Sequence, residues 1–269
     1  NEIKSWQGIH ETPLSRLEQQ FAEPPVEFAN HVIWGWEGKM DKKTICNDLD
    51  SIKKKGFRAV IFEAGYKLPF KYLSEEWFKA IRTGVLEAKK RGMKVWIIDE
   101  GKYPSGFAGG KFSQERPDLR MQALVIGDTI QVKRGEVMTN HKIAPEIISA
   151  VAVSTSGAPN RTVEINNGKI SFNAGLDDWK ILLVKSDFRT AVTRAVNNPN
   201  GGKDATNSLC DYLNPIAVQQ FIDWTHKQYK KYLGKELGTT VLGFRGDEPD
   251  YAHLPWTPSI VQTFKDTKG

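Results

Sequence analysis

The feature that most constrains the fold is an alternation of short apolar runs and amphipathic helical segments that begins at His31. The run His31–Trp36 has the composition of a strand. Asp41 is placed to cap a helix in which Ile45 and Leu49 share one face, and Ser74 is placed to cap the next helix. Strands separated by helices are typical of a parallel sheet with crossover helices, so we predict an α/β fold. Three further runs read as strands of this sheet: Arg58 to Phe62, Lys94 to Ile98 and Thr240 to Gly246.

The pattern changes between about Leu119 and Ala205. Apolar and polar residues there alternate with a period of two, and helical periodicity is absent. Alternating apolar residues flank Asn167-Gly168, a strong short-range signal for a β-hairpin. We therefore predict an antiparallel β module inserted in the α/β unit after its third strand. The predicted domains are an N-terminal segment with the first β/α units at 1–118, the β module at 119–205, and the continued α/β unit at 206–269.

Composition excludes several function classes. The 269 residues carry 38 Lys+Arg against 32 Asp+Glu, a net charge of +6. The densest basic cluster, Lys53–Lys55, falls at a predicted helix end, where cations complement the helix dipole, so we expect no nucleic-acid partner. No apolar run approaches the roughly 20 residues needed to span a bilayer, so we expect no membrane span. Cys46 and Cys210 form no CxxC pair, which argues against a zinc or redox motif and leaves their pairing open.

Acidic residues stand where the predicted strands end. They are Glu37, Glu63, the pair Asp99-Glu100 and the pair Asp247-Glu248. The carboxyl ends of parallel strands meet at one edge of the sheet, so these side chains are expected to converge. The two pairs are the stronger candidates, because each directly follows an apolar strand and precedes a loop with Gly or Pro. Arg245 is either a counter-charge at this edge or part of a helix–strand salt bridge.

Aromatic residues cluster at the same strand ends. They are Trp34, Trp36, Tyr66, Tyr103, Tyr251 and Trp256. Flat rings stack on the C–H faces of sugars, and acetal hydrolysis needs one carboxylic acid and one carboxylate, so the pattern predicts a carbohydrate site. Trp34 and Trp36 share a strand face, so they either pack in the core or line this site. The five histidines show no ligand spacing, which makes a metal site a weaker hypothesis.

These segments resemble the N-terminal barrel of α-L-rhamnosidase-like glycoside hydrolases of the family 106 type. The first matching block holds Tyr72-Leu-Ser-Glu-Glu-Trp77, the segment 87–96, Asp99-Glu100 and Tyr103-Pro-Ser-Gly-Phe-Ala-Gly-Gly110. The later block holds 211–215, Phe221, Thr225-His226 with Tyr229, and 244–249. Together the motifs cover most of 31–110 and 209–256, and the β module matches only in character.

The resemblance implies a (β/α)8 TIM-type barrel of which this chain carries the first four β/α units. It implies an enzyme that hydrolyses terminal sugars of poly- or oligosaccharides, with Glu248 as general acid and Glu100 as second acid or substrate-orienting group. The remaining residues expected to contact substrate are Trp34, Trp36, Glu63, Asp99, Tyr103, Arg245 and Asp247. No cofactor is required by this chemistry, and calcium is known in the family without a ligand set that maps onto this sequence.

Relatives carry further strands beyond the Asp-Glu-Pro segment, so we expect the barrel to be completed by a missing C-terminal half or by a second copy. A relative that binds carbohydrate without cleaving it is the alternative, and a ligand-free structural scaffold is a third. Because the chain begins at Asn1 with polar residues, we expect a form from which any targeting segment has been removed. The resemblance places such enzymes outside the cell or in the periplasm.

Overall fold

The computed structural model describes residues 13–24, 30–189, 194–195, 208–249 and 254–268. The helices are α1 Leu14–Ala22, α2 Lys42–Lys54, α3 Glu75–Lys90, α4 Lys111–Glu115, α5 Pro215–Trp224, α6 His226–Leu233 and α7 Ile260–Lys268. The strands are β1 His31–Trp36, β2 Ala59–Ala64, β3 Lys94–Ile98, β4 Lys102–Tyr103, β5 Gln122–Val132, β6 Val137–Lys142, β7 Ile147–Ser154, β8 Arg161–Val163, β9 Ile165–Asn166, β10 Lys169–Asn173, β11 Trp179–Phe188, β12 Arg194–Ala195, β13 Val241–Arg245 and β14 Pro255–Trp256.

The described chain divides into two compact units. The first unit holds the described residues of 13–116, 194–195, 208–209 and 219–249. The second holds 117–189, 210–218 and 254–268. Tyr251, one of the aromatic residues singled out above, lies outside the described residues. No helix in the described ranges has the length and apolar character needed to cross a membrane.

The first unit is built on a parallel sheet of four strands in the order β1-β2-β3-β13. Parallel pairing runs in register from His31↔Ala59 to Trp36↔Ala64, and β3 pairs with β2 on one side and β13 on the other. The mixed α/β fold with a parallel sheet that the sequence predicts is thus confirmed. Each strand of this sheet forms within two residues of its predicted position.

Helices α2 and α3 of this unit begin at the predicted caps. Asp41 accepts a hydrogen bond from the backbone N–H of Thr44 at 2.8 Å, and Ser74 accepts one from Trp77 at 3.3 Å. Buried side chains of α2 and α3 pack on one face of the sheet around Trp36. Gly84 brings α3 close to that face, because a Cβ added there would lie 2.9 Å from the ring of Phe62.

The second unit is antiparallel. One sheet has five strands in the order β14-β5-β11-β7-β8, and another has three in the order β6-β10-β9. The predicted hairpin is present: β9 and β10 pair antiparallel around Asn167 and Gly168, whose φ angles of 51° and 67° fit the type I′ turn of a two-residue hairpin. A separate apolar core surrounds Trp179 and Phe172.

Candidate active site

The ends of β3 and β13 lie side by side and place two acidic pairs at one edge of the parallel sheet. Ile98 and Arg245 are partners in the register, and the backbone N–H of Asp99 donates to the carbonyl of Arg245 at 3.2 Å. Asp99-Glu100 follows the first strand and Asp247-Glu248 follows the second. The expected proximity of these two pairs is therefore present in the backbone.

Ser105 joins the two strand ends. Its hydroxyl donates to Oδ1 of Asp99 at 2.7 Å and accepts from the backbone N–H of Asp247 at 2.6 Å. Its own backbone N–H donates to the carbonyl of Asp247 at 2.9 Å. Two of these three hydrogen bonds fix the loop after β3 to the segment after β13, and the third ties Ser105 to the end of β3. The sequence motif contained Ser105, but nothing in its spacing indicated this role.

Asp99 lies in a partly buried, charged environment. Burial raises its pKa, and the negative charge of Asp247 adds to that effect, whereas the Ser105 hydrogen bond and the charge of His226 oppose it. The other carboxylate oxygen of Asp99, Oδ2, lies beside the backbone of Gly246, 4.0 Å from where a Cβ would stand on that residue. Asp99 is therefore held in one orientation by its neighbours on β13 and the β3 loop.

His226 belongs to this site although its sequence spacing gave no sign of it. Its ring packs edge-on against Phe244 with centroids 4.5 Å apart, and its Nδ1 is 2.9 Å from the hydroxyl of Thr225. Burial lowers the pKa of His226, and the negative charge of Asp99 partly opposes this. Two sequence signals could have found it: its place in the later block of the resemblance and its position as the first residue of α6.

Glu100, which the resemblance implies as second acid or substrate-orienting group, is enclosed by the loop that follows β3. Its side chain has no solvent exposure. Oε1 accepts from the backbone N–H groups of Gly101 at 2.7 Å and Gly109 at 2.9 Å, and Oε2 accepts from Ala108. Burial raises the pKa of Glu100 to about 7, although these three N–H groups favour the ionised form. The carboxyl group therefore organises the loop that follows β3.

Glu248 contrasts with Glu100 because its side chain is exposed. Its φ angle is 35°, in the left-handed region that non-glycine residues seldom occupy. Residues held in such conformations cluster at functional sites, where the surrounding structure supports the strain. Here the support comes from the preceding residue, Asp247, through its two backbone hydrogen bonds with Ser105.

Trp34 and Trp36 lie on the helix-covered face of the sheet, so the core alternative holds for both. Trp36 is fully buried, with its ring centroid 5.0 Å from that of Phe62 and 5.7 Å from that of Trp77. Trp34 is partly buried and packs 5.4 Å from Trp36 and 5.5 Å from Phe62. The expectation that these rings line the site is wrong, because α2 and α3 cover the face that they share.

The face of the sheet away from α2 and α3 carries other candidate site residues, which lie next to one another across the strands. The register places Gly35 beside Glu63, and Ile98 beside Arg245, with all four on the face away from α2 and α3. Oε2 of Glu63 would lie 3.5 Å from a Cβ on Gly35. Glu63 and Arg245 therefore share a face although their strands are far apart in sequence. Arg245 lies 3.9 Å from Asp247, so it acts as a counter-charge at this edge.

Trp96 also lies on this face, and it was not among the aromatic residues expected at the site. The alternation of β3 puts Trp96 and Ile98 on one side and the buried Val95 and Ile97 on the other. A Cβ on Gly243 of β13 would lie 2.8 Å from the Trp96 ring, so the glycine makes room for the indole. The period of two along β3 is the signal that could have found it. For Tyr103 the structure describes only the backbone, which pairs with β12, so its side chain lies outside the described residues.

The fold is similar to that of a solved rhamnosidase. The match is to a rhamnosidase from Novosphingobium sp. PP1Y, with a TM-score of 0.56 and 12% sequence identity over 96% of this chain and 41% of that chain. An alpha-amylase from H.orenii matches with a TM-score of 0.38 and 14% identity over 87% of this chain and 42% of that one. This chain therefore spans about two fifths of the length of either protein.

The sequence matches no family model and no curated protein. The likeness to the rhamnosidase, at 12% identity, shows a shared fold. In the described part of the chain, no three or more His, Cys, Asp and Glu side chains come together in a group that could hold a metal ion. The calcium ion implied by the resemblance therefore has no such ligand cluster in the described residues, and it has no part in the chemistry proposed below.

Proposed function

We propose that this chain is part of a glycoside hydrolase of the rhamnosidase-like kind, which removes terminal sugars from poly- or oligosaccharides. The observation that carries the proposal is the pairing of two acidic strand ends through Ser105, with Asp99 partly buried on one and Glu248 exposed on the other. Glycoside hydrolysis uses two carboxyl groups at one site, one to protonate the leaving oxygen and one to activate water or attack carbon. The fold shared with a solved rhamnosidase supports the same reading.

The parallel sheet is proposed to be one half of a (β/α)8 barrel. Its outer strands in the described part of the chain are β1 and β13, and its face with Glu63, Trp96 and Arg245 would line the barrel interior. Exposed sheet edges favour pairing with further strands. The remaining strands would come from a C-terminal half outside this chain or from a second copy.

In this proposal the residues at the strand ends have different catalytic and binding roles. Glu248 donates a proton to the glycosidic oxygen, which its exposure permits. Asp99 takes the second carboxyl role assigned to Glu100 by sequence, because both oxygens of Glu100 are occupied by backbone N–H groups. Glu100 is then a positioning residue that holds the loop carrying Ser105. Asp247, Arg245 and Glu63 contact the sugar.

The substitution Glu248→Gln tests the acid role, in a protein that includes whatever completes the barrel. Loss of a general acid lowers the rate by about 10²- to 10⁴-fold. The loss should be large for an alkyl glycoside, whose leaving group needs a proton, and small for an aryl glycoside with a good leaving group. Glu75→Gln, at an exposed position on α3, is the control. Equal kcat values for Glu248→Gln and the unmodified protein on the alkyl glycoside would overturn the assignment.

Carbohydrate binding without hydrolysis is the second candidate. The observation that favours it is the sealed position of Glu100, which removes one expected catalytic carboxylate from the surface. Calorimetry would then show saturable binding of a sugar together with no hydrolysis of a broad glycoside panel. Turnover of any glycoside in that panel, lost in Glu248→Gln, would rule this candidate out.

A further inference from the structure

The second unit contains a groove separate from the acidic strand ends. Its volume is about 460 Å³, within the range of roughly 300–1,000 Å³ that is usual for small-molecule sites. Ten residues from 140 and from 161–173 line it, and most of them are polar. Such a lining offers many hydrogen bonds and little apolar contact, which suits a ligand rich in hydroxyl groups.

Arg161 is the fixed charge of this groove. Its guanidinium lies 4.6 Å from the centroid of the Phe172 ring and 5.3 Å from that of Trp179. One N–H donates to the backbone carbonyl of Asn173 at 3.1 Å, and no other bond to a described residue uses its donors. An arginine carries five N–H donors in a planar fork. Stacking therefore holds the fork in place while most of its donors stay available to a ligand.

The other polar groups of the groove supply complementary contacts. Lys169 is exposed and forms no ion pair with a described residue, so it adds a second positive charge. Oδ1 of Asn173 accepts from the backbone of Gly175 at 2.9 Å, which leaves the amide N–H groups of Asn173 as donors. Glu164 also lines the groove and can accept a hydrogen bond from a hydroxyl group. The groove thus combines the stacked Arg161 cation, the exposed Lys169 cation, the Glu164 carboxylate and neutral hydrogen-bonding groups.

We propose that this groove binds a sugar acid, with the carboxylate of the sugar on the Arg161 fork and its hydroxyl groups on the surrounding polar side chains. Planar, bidentate pairing with a carboxylate is the interaction for which a guanidinium is best suited. The choice of a sugar as ligand rests on the proposed function: the groove would hold an acidic part of the polysaccharide on the β module.

Binding of D-galacturonate to the 269-residue chain tests the proposal, measured by calorimetry and by perturbation of amide resonances around the groove. The methyl ester of galacturonate, D-glucose and inorganic phosphate are the comparison ligands. We expect galacturonate to perturb resonances of β8 and β10 and to bind at least about tenfold more tightly than its methyl ester. Equal binding of acid and ester, equal binding of inorganic phosphate, or no binding would each overturn the proposal.

Variants locate the site. Arg161→Lys keeps the positive charge but loses the fork, and should weaken galacturonate binding by about tenfold or more. Lys169→Ala tests an exposed lining residue with no core contacts, and should weaken binding by about two- to fivefold, the effect of one charge near the surface. Lys180→Ala, an exposed lysine on β11 outside the groove, is the matched control and should bind as the unmodified protein does. If Arg161→Lys lowers the melting temperature without changing galacturonate binding, and Lys169→Ala also binds as the unmodified protein does, the proposal is wrong. Arg161 would then only pack on the core.

The outcome is separable from that of the proposed function, because binding is read without turnover. Both proposals are supported if Arg161→Lys hydrolyses a neutral glycoside at the same rate as the unmodified protein but no longer binds galacturonate. Hydrolysis without any galacturonate binding overturns the groove assignment alone. Binding that needs Arg161, in a protein that hydrolyses no glycoside, supports the groove and contradicts the hydrolase assignment.

Discussion

The hydroxyl of Ser105 donates to Oδ1 of Asp99 at 2.7 Å, directly beyond the end of β3. The same oxygen accepts from the backbone of Asp247 at 2.6 Å. One small side chain therefore sets the distance between the two acidic segments of the candidate site. Among the described residues, Ser105 alone makes both bonds, so its loss should disturb both strand ends.

Ser105→Ala should lower the free energy of unfolding by about 1–3 kcal/mol, because it leaves a carboxylate oxygen and a backbone N–H without their partner. It should also raise the pKa of Asp99 further, since the Ser105 hydrogen bond favours the ionised carboxylate. Urea unfolding and a carboxyl NMR titration measure the two effects. Ser51→Ala, at an exposed position on α2, should change stability by less than about 0.5 kcal/mol. Equal stability of the two variants would contradict the bridging role.

Glu100 should make stability fall as the pH rises. Burial raises its pKa from 4.5 to about 7, so between these values the folded protein binds a proton that the unfolded chain has released. The stability that depends on this proton is complete below about pH 4.5 and is lost as the pH passes through 7, by up to about 3 kcal/mol.

Glu100→Gln tests this prediction, because a glutamine cannot titrate. The pH slope between 4.5 and 7 should be smaller in the variant than in the unmodified protein, as measured by urea unfolding at several pH values. The variant should also be less stable at every pH. The NH₂ group of the glutamine would replace one carboxylate oxygen, so at least one backbone N–H that Glu100 accepts from would face a donor instead of an acceptor. Glu115→Gln, at an exposed position, should keep the original slope. An unchanged slope in Glu100→Gln would assign the effect to other groups.

Gly109→Ala should destabilise the protein more than Gly92→Ala. Both glycines have positive φ angles, 62° and 68°, so both substitutions carry the penalty of about 1–2 kcal/mol for a left-handed alanine. At Gly109 the new methyl group would also lie 2.9 Å from the buried ring of Tyr72, whereas at Gly92 it meets nothing within 4 Å. Overpacking adds about 1–3 kcal/mol. Differential scanning calorimetry should therefore give a lower melting temperature for Gly109→Ala than for Gly92→Ala. The reverse order would contradict the close approach of Gly109 to Tyr72.

Tyr229→Phe should lower the free energy of unfolding by about 1–3 kcal/mol. Its hydroxyl accepts from the indole N–H of Trp77 at 2.9 Å in the buried core, and removing it leaves that donor unpaired. Tyr232→Phe, on the same helix, should have an effect of less than about 0.5 kcal/mol, because stacking of Tyr232 on Phe78 does not need the hydroxyl. Guanidinium unfolding of both variants gives the comparison. Similar losses in the two would contradict a specific Trp77–Tyr229 bond.

Local features were predictable because their causes are local. Asp41 caps its helix through a hydrogen bond to a residue three positions away, and Asn167-Gly168 makes a turn from its own backbone preferences. Apolar runs formed the parallel strands because a sheet covered by helices needs nearly continuous apolar residues. Neither the caps nor the hairpin depends on distant parts of the chain.

The candidate site was only partly predictable. The adjacency of Asp99 and Asp247 follows from parallel pairing, a rule that applies once the strands are known. The burial of Glu100 does not follow, because it depends on a loop that folds back to offer the N–H groups of Ala108 and Gly109. His226 enters the site from a helix far along the chain, and no local pattern encodes that approach.

By itself, the sequence determined the four strands of the parallel sheet, the Asn167-Gly168 hairpin, where two helices begin, and which strand side chains share a face. Only the tertiary structure decided which face the helices cover, and with it the burial of Trp34 and Trp36 and the opposite placement of Glu63, Trp96 and Arg245. The physical reason is that the two-residue period of a strand shows which side chains share a face, but it does not show which of the two faces the helices cover. In a strand with apolar residues on both faces, long-range packing makes that choice.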